Sequence, residues 1–378
     1  MPFKRIKVGV VFGGKSGEHE VSLQSAKSMI EALDPHQYTI VPIGISKAGN
    51  WHIGKNAMKT LEEEQKQAKK VSSSSPVRYI NQQVGGLTPI AEQPSPDPVP
   101  SNLVNDVDVI IPVIHGTSGE DGSIQGLLEL LDVAYVGAGI LASAVGLDKI
   151  VMKQLFGAAG LPQVSYIGTT RKVWKSSPNE TMEQIERKIG YPCFVKPANL
   201  GSSVGISKAK NRAELERAME LAAQYDRKII IEEGLDVREI EVSVLGNDDP
   251  IVSVAGEILP SNEFYDYKAK YVGGTSTLVI PAELTDEQRQ QIETYAIQAF
   301  QTIDCSGLAR IDFFIEKSSG RVLLNEINTM PGFTRYSMYP KLWEASGMAY
   351  SKLLDTLIQL AIERQAEKRQ TVRTFDVE

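Results

Sequence analysis

"IKVGVVFGG", residues 6–14, is an apolar run that ends in two glycines. Such a run reads as a buried strand feeding a tight turn. Ala26, Met29, Ile30 and Leu33 then recur on one helical face, so a helix follows the turn. The plan of strand, glycine-rich loop, helix and strand returns in "VDVIIPVIHGTSGEDGSIQGLLELLDVAYVG". Alternation of this kind calls for a parallel sheet with helices packed on it. The spacing places an α/β domain at residues 1–137. Its first loop, "GGKSGEHEVS", lacks the GxGxxG spacing, which disfavours a Rossmann dinucleotide site. Residues 57–103 include "EEEQKQAKKVSSSSPVRY" and "EQPSPDPVPSN", charged and rich in Ser and Pro. They read as a surface excursion with little core of its own.

A second unit is expected over residues 138–236. Its first helix covers "LDKIVMKQLFGAAG" and is stopped by Gly160 and Pro162. "YPCFVKPANLGSSVGISKA" looks like two strands joined by a loop, followed by a helix in "AELERAMELAAQY" and the strand "KIIIEEGL". A third unit, 237–378, starts with the strand candidates "REIEVSVLG" and "PIVSVAGEI". Thr285 and Gln288 then form a capping-box pattern ahead of the stripe Ile292, Tyr295, Ala296, Ala299 and Ile303. "LARIDFFIEKSSGRVLLNEIN" follows as a hairpin, and the polar tail "AEKRQTVRTFDVE" reads as frayed.

A net charge of −7 makes broad binding to nucleic acid or anionic membrane a poor expectation. No stretch approaches the length of a membrane span, and the apolar run at the start is too short for a signal peptide. Two cysteines, Cys193 and Cys305, in 378 residues point to a reducing compartment rather than a disulfide framework. These features predict a cytoplasmic protein.

The hairpin carries the most chemistry. Side chains alternate along a strand, so Glu326 and Asn328 share a face. A turn centred near Ser319 sets Asp312 opposite Glu326, with Arg310 on the same face. Two carboxylates and an amide oxygen are hard ligands suited to Mg²⁺, and Arg310 adds positive charge at a reacting end. A solvated face of cross-strand ion pairs fits these residues equally well. Beside them, Pro331-Gly332 allows a turn whose N–H groups can receive an oxyanion, although a plain turn is the more ordinary reading. In "VKPANLGSSVGISK" the amides of Gly201, Ser202 and Ser203 can cover phosphates, with Lys196 as a point charge. That lysine precedes the glycine, so P-loop spacing is absent, and the loop alone reads more simply as a β-turn with a surface lysine.

Glu18 and Glu20 sit at a loop–helix junction, where the helix dipole favours carboxylates in any case. His115 serves as a ligand, a base or a hydrogen-bonded structural residue. "FYDYKAKYVGG" is either a lid hinged at Gly273 and Gly274, carrying Lys270 and Tyr271, or an aromatic hairpin packed on a core.

Taken together and in order, these motifs resemble the D-alanine–D-alanine ligases of the ATP-grasp superfamily. The similarity runs from "VFGGKSGEHEVS" through "HGTSGEDGSIQG", "LDKIVMKQLF", "VKPANLGSSVGISK", "REIEVSVLG" and "FYDYKAKY" to "NEINTMPG" and "MPGFTRYSMYPKLW". The resemblance implies a three-domain ATP-grasp fold, α/β with an α+β C-terminal part, whose lid and metal site lie in residues 237–378. It implies that ATP phosphorylates one D-alanine and that a second attacks the acyl phosphate, giving the dipeptide for peptidoglycan. Lys149, Lys196, Lys270, Ser202 and Ser203 would hold the phosphates. Glu232 and Leu235 would contact the base and Glu239 the ribose, with Glu233 and Phe264 as further ATP-binding residues. Asp312, Glu326 and Asn328 would bind two Mg²⁺ or Mn²⁺, with a monovalent cation as a further expectation. Arg310 and the Gly332 amide would meet the tetrahedral oxyanion. Glu18 would take the ammonium of the first D-alanine, Ser337 and the Met338 amide the carboxylate of the second, His115 would be a further substrate-binding residue, and Ser202 and Tyr271 would be linked to Glu18. Relatives that make D-alanyl-D-lactate carry another residue at Tyr271, so tyrosine there favours the dipeptide. The same resemblance implies a homodimer, with D-alanine and ATP as partners and neither nucleic acid nor membrane. A depsipeptide ligase, an ATP-grasp ligase for another carboxylate and a non-catalytic nucleotide-binding module are the competing readings.

Overall fold

The computed structural model describes residues 5–73, 107–201, 204–259 and 277–372, with backbone alone at 65 and 67–73. Among these residues the strands form three sheets. The first holds β1 (Ile6–Gly13), β2 (Tyr38–Ile45), β3 (Trp51–Ile53), β4 (Val109–Val113) and β5 (Ala134–Tyr135), in the order β3-β2-β1-β4-β5. β1 runs parallel to β2 and β4, and β4 parallel to β5; β3 is antiparallel at one edge. Every residue of β4 is buried, as an apolar run covered on both faces requires. Gly13 has φ +93°, and a Cβ there would lie 2.2 Å from the Ile45 carbonyl oxygen. Only glycine lets the chain turn from β1 into α1 (His19–Ala32) so close to β2.

The start of the expected surface excursion is different from the sequence reading. Residues 57–73 form α2 (Ala57–Ser73), and its Ala57 and Leu61 are buried in the first core. Two apolar residues four apart suffice to seat one face of a helix, even where the other positions are charged. Residues 74–103 lie outside the described residues. α3 (Ser123–Leu130) completes the helices between strands of this sheet.

α4 (Ile140–Leu147) and α5 (Lys149–Ala158) lead to the second sheet, with Asp148 capping α5 by accepting from the amides of Ile150 and Val151. That sheet is antiparallel throughout. It comprises β6 (Tyr166–Thr170), β7 (Cys193–Pro197), β8 (Ser207–Ala209) and β9 (Lys228–Glu233), ordered β6-β9-β7-β8. α6 (Arg171–Ser176), α7 (Pro178–Lys188) and α8 (Arg212–Tyr225) supply its core with Trp174, Ile185 and Met219.

The third sheet runs β13-β12-β10-β14-β15, with β11 on β10. Its strands are β10 (Val237–Gly246), β11 (Ile251–Val252), β12 (Gly256–Leu259), β13 (Thr277–Val279), β14 (Gly307–Glu316) and β15 (Val322–Asn328). α9 (Asp286–Thr302) covers one face, and its capping box is formed by Thr285 and Gln288 in both directions. Ile292, Ala296, Ala299 and Ile303 are buried there, as the stripe predicts.

α10 (Met338–Ala345) and α11 (Tyr350–Lys368) bring the chain back to the first sheet. Leu353, Leu354, Leu357 and Ile358 share a core with Val8, Val10 and Phe12. Arg364 donates to the carbonyl oxygens of Tyr135 and Gly137 and to Ser306 Oγ, and Tyr38 Oη donates to Asp355 at 2.9 Å. Among the described residues no helix is long and apolar enough to cross a membrane, and Cys193 and Cys305 are buried free thiols. If α11 is an integral wall of the first core, Leu354→Ala should cost about 2–5 kcal/mol in urea unfolding. A loss below about 0.5 kcal/mol would show that the helix merely rests on the sheet.

Candidate active site

A cleft of about 690 Å³ opens between the second and third sheets. Lys149, Lys196, Glu232, Glu239, Asp312 and Glu326 all line it, together with Arg310, Glu233 and Leu235. The local reasons differ from strand to strand. Lys196 stands on β7 and Glu232 on β9, which are hydrogen-bonded neighbours, and residues 234–236 cross from β9 to β10 along the cleft. Lys149 opens α5 immediately after the Asp148 cap, and its ammonium reaches the Leu200 carbonyl oxygen at 3.0 Å and Glu326 at 3.8 Å.

On the third sheet the expected pairing is present: Asp312 faces Glu326 and Arg310 faces Asn328. The turn end of the hairpin pairs Ile315 with Val322 and Phe313 with Leu324, a register that carried onward would set Asp312 against Asn325. A one-residue bulge on β15 shifts the ladder between Asp312 and Phe313 and brings Glu326 across instead. Phe313 and Leu324 face each other and are buried in the core on the sheet's other side, as alternation predicts; Leu323, opposite Phe314, is buried as well but on the other face.

The ions of this face are paired with one another. Arg310 holds Asp312 by two bonds of 2.7 Å, and its Nε also lies 3.0 Å from Glu241 of β10. Burial alone would weaken the Arg310 charge, but the two carboxylates outweigh it and raise its pKa well above the ordinary value. The Asn328 amide donates to Asp312 at 3.0 Å. Among the described residues no three His, Cys, Asp or Glu side chains cluster as a ready metal cage. Two carboxylates and an amide opening on a cleft nevertheless suit Mg²⁺, which takes few protein ligands and fills its shell with water and phosphate oxygens.

Glu232 is the most deeply buried ion of the cleft. Lys196 Nζ lies 2.5 Å from Oε2 and Lys153 Nζ 3.0 Å from Oε1. Burial opposes its ionisation, yet the two ammonium groups outweigh it and hold its pKa at about 2. Burial likewise dominates at Lys153 and lowers its pKa, whereas at Lys196 the charges of Glu232 and Glu326 overcome it and raise the pKa.

Near the far end of the cleft, a small recess is lined by Lys149, Glu326 and Asn328 together with Gly201 and Glu120. Glu18 is adjacent: a Cβ on Gly116 would lie 2.7 Å from its Oε2, and one on Gly201 3.4 Å. Three loops from different parts of the chain meet at this carboxylate. His115 is buried, with Nδ1 3.2 Å from the Met330 carbonyl oxygen, Nε2 3.2 Å from Ser25 Oγ, and Glu120 at 3.6 Å. Burial lowers its proton affinity, but Glu120 and Glu18 more than offset this and raise its pKa. Glu20 pairs at the surface with Lys47 at 2.7 Å, the plain helix-end role.

Gly332 adjoins Ser337, whose Oγ would be 3.1 Å from a Cβ at 332. Ser337 precedes α10 and accepts from the Thr334 amide at 3.0 Å, and Met338 begins the helix as a buried residue. Ser202, Ser203, Phe264, Lys270 and Tyr271, with the hinge glycines Gly273 and Gly274, lie outside the described residues.

Sequence reasoning overlooked Lys153, Glu120 and Glu241. A signal existed for two of them. Lys153 is four residues after Lys149 on the helical face that carries Phe156, and Glu241 alternates with Glu239 on β10.

Comparison with known proteins gives a consistent answer. The D-ala D-ala ligase N-terminus family model matches residues 7–138, and the D-ala D-ala ligase C-terminus model residues 155–359. The chain is 50% identical over 372 residues to a D-alanine–D-alanine ligase of Geobacillus thermodenitrificans, covering 98% of this chain and 100% of that one. A D-alanine–D-alanine ligase of Heliobacterium modesticaldum is 50% identical over 364 residues, 96% of each chain. Among solved structures, the D-alanine-D-alanine ligase from Coxiella burnetii aligns with a TM-score of 0.78 at 36% identity, covering 97% of this chain and 96% of that one. The VanG D-Ala:D-Ser ligase from Enterococcus faecalis aligns at 0.77 and 33%, covering 95% and 100%.

The depressed pKa of Glu232 has a definite sign. It contributes stability above the ordinary value of 4.5 that is lost as pH falls toward about 2. Glu232→Gln should flatten the stability profile in that window. At neutral pH it should cost about 3–5 kcal/mol, because two buried ammonium groups lose their counter-charge. Urea unfolding across the window checks both, and an unchanged acid slope would refute the pairing.

Proposed function

The chain belongs to the D-alanine–D-alanine ligase family, and from that premise we propose how its residues divide the work. Its activity is the ATP-dependent joining of two D-alanine molecules to D-alanyl-D-alanine for the cell wall. The observation that carries the assignment of roles is the convergence of Lys149, Lys196, Arg310, Asp312 and Glu326 in one cleft, with Glu18 beyond its recess.

The nucleotide lies between the second and third sheets. Its base sits against the crossing from β9 to β10, where Glu232, Glu233 and Leu235 line the wall, and Glu239 takes the ribose. Lys149 and Lys196 hold the phosphates as point charges, joined by Lys270, Ser202, Ser203 and, at the base, Phe264. Glu18 receives the ammonium of the first D-alanine, and His115 with Glu120 backs that carboxylate. The substrate carboxylate oxygen attacks the γ-phosphorus, the bond to ADP breaks, and an acyl phosphate forms. The free amine of the second D-alanine then attacks the carbonyl carbon. Arg310 and the Gly332 N–H stabilise the oxyanion until phosphate departs with the C–O bonding pair and takes up the proton that the attacking nitrogen sheds. Ser337 and the Met338 N–H, at the start of α10, hold the second carboxylate. Two Mg²⁺ or Mn²⁺ at Asp312, Glu326 and Asn328 would neutralise charge on the transferred phosphoryl group. Ser202 and Tyr271 would orient the substrates together with Glu18. A monovalent cation, a homodimer, a cytoplasmic location and the division at 137/138 and 236/237 belong to the same proposal.

With ATP, Mg²⁺ and D-alanine, mass spectrometry should detect D-alanyl-D-alanine in step with ADP. Equimolar D-serine or D-lactate should give only minor mixed products. Predominance of either mixed product would replace the second-substrate assignment. Glu326→Gln should leave the melting temperature nearly unchanged while lowering ligation by at least about 10²-fold; near-normal turnover would remove Glu326 from the metal role.

A further inference from the structure

Behind the cleft wall lies an ion with no part in the scheme above. Lys153 lies on α5 one turn beyond Lys149, and its side chain is 1% exposed. It is not among the residues that line the cleft, whereas Lys196 is. The two lysines hold opposite oxygens of the same carboxylate, Glu232. We propose that Lys153 is a positioning residue that makes the nucleotide site selective for a 6-aminopurine, by keeping Glu232 an acceptor-only anion. The inference rests on the reading that this cleft binds ATP.

Only one of the two lysines is free to leave Glu232. Lys196 faces the cleft, so phosphates entering it compete with Glu232 for its ammonium. As that competition draws charge away, a carboxylate only 2% exposed would take up a proton unless another cation stays behind it. Lys153 is that cation, because it is sealed behind Glu232 and has no route to the ligand. An ionised carboxylate only accepts hydrogen bonds, so it matches the amino group at C6 of adenine and repels the C6 carbonyl of hypoxanthine or guanine. A protonated Glu232 would donate to that carbonyl and lose the distinction. The other groups facing this pair are Tyr166, opposite Glu232 on β6 with Lys153 5.8 Å from its ring centroid, and the more distant carboxylates Glu326 and Glu239.

The test uses the full chain and isothermal titration with ATP and with ITP, which differs at C6 and N1. Wild type should bind ATP more tightly than ITP with a ratio that is flat from about pH 6 to 8, below the ionisation of the hypoxanthine N1–H, as expected for a carboxylate held ionised throughout. In Lys153→Met the ratio should fall at least about tenfold, most at the acid end, with ITP affinity rising there. In a Glu232→Gln background, adding Lys153→Met should change the ratio by less than about twofold, since the target of Lys153 is already gone. An unchanged ratio in the single variant, or an equal loss of both affinities, would overturn the proposal. So would a ratio change that persists in the Gln background. Should Lys153→Met fail to fold, Lys153→Gln, which keeps a donor to Glu232 but no charge, takes its place with the same expected fall in the ratio and the same overturning results. Failure of wild type to bind ATP would instead remove the reading of the cleft on which the inference rests.

Discussion

The antiparallel ladder between β10 and β14 runs for ten paired positions, from Val237 opposite Glu316 to Gly246 opposite Gly307. Alternation then leaves no freedom: once Ile240, Ile311 and Phe313 are committed to the core, Glu241, Arg310 and Asp312 must face the cleft. The bulge on β15 extends the constraint to a third strand by setting Glu326 opposite Asp312. A slip of one residue would turn Glu241, Arg310, Asp312 and Glu326 toward the apolar core and the apolar set toward the cleft, so the same packing that stabilises the sheet also aims its chemistry.

Charge is distributed through the cleft as mutually neutralising pairs. Lys149 lies near Glu326, Lys196 on Glu232, and Arg310 between Asp312 and Glu241. Ions this deep are tolerable only when paired. A polyanionic ligand with its cations can exchange partners within this set without stranding a charge. Arg310 keeps a second carboxylate, Glu241, and Glu232 a second ammonium, Lys153, while the first partner of each is engaged.

The substrate end is assembled from the most distant parts of the chain. Met330 and Phe333 follow the third sheet, yet the Met330 carbonyl oxygen lies against His115 and the Phe333 amide donates to Ser25. Tyr350 Oη donates to the Phe333 carbonyl oxygen at 2.7 Å just where α11 begins its return to the first sheet. The turn at Gly332 is therefore fixed by the first core as well as by its own strand. Phe333 itself is buried in that core with Leu353, Leu354 and Leu357, so the segment that carries Met330 to His115 is anchored by the returning helix.

Much of this was legible in the sequence, for a physical reason: strand and helix periodicities are local. The parallel first sheet, the capped α9, the buried stripe and the Asp312–Glu326 pairing follow from alternation, glycine placement and turn position within about twenty residues of one another. Several readings stayed open because the deciding partner is remote in sequence. Whether Lys196 is a surface charge or a buried ion depends on Glu232, and the surroundings of His115 depend on Met330. The seating of α2 against the first sheet also contradicted its polar composition, since two apolar side chains outweigh charges that face water. Local periodicity and motif order are enough to give the elements and the residue types able to bind a nucleotide and metal. Which ions neutralise one another, the place of Lys153 on the far oxygen of Glu232 and the membership of α11 in the first core all depend on the packed chain. Burial and ion pairing are properties of neighbours in space, and no local pattern specifies them.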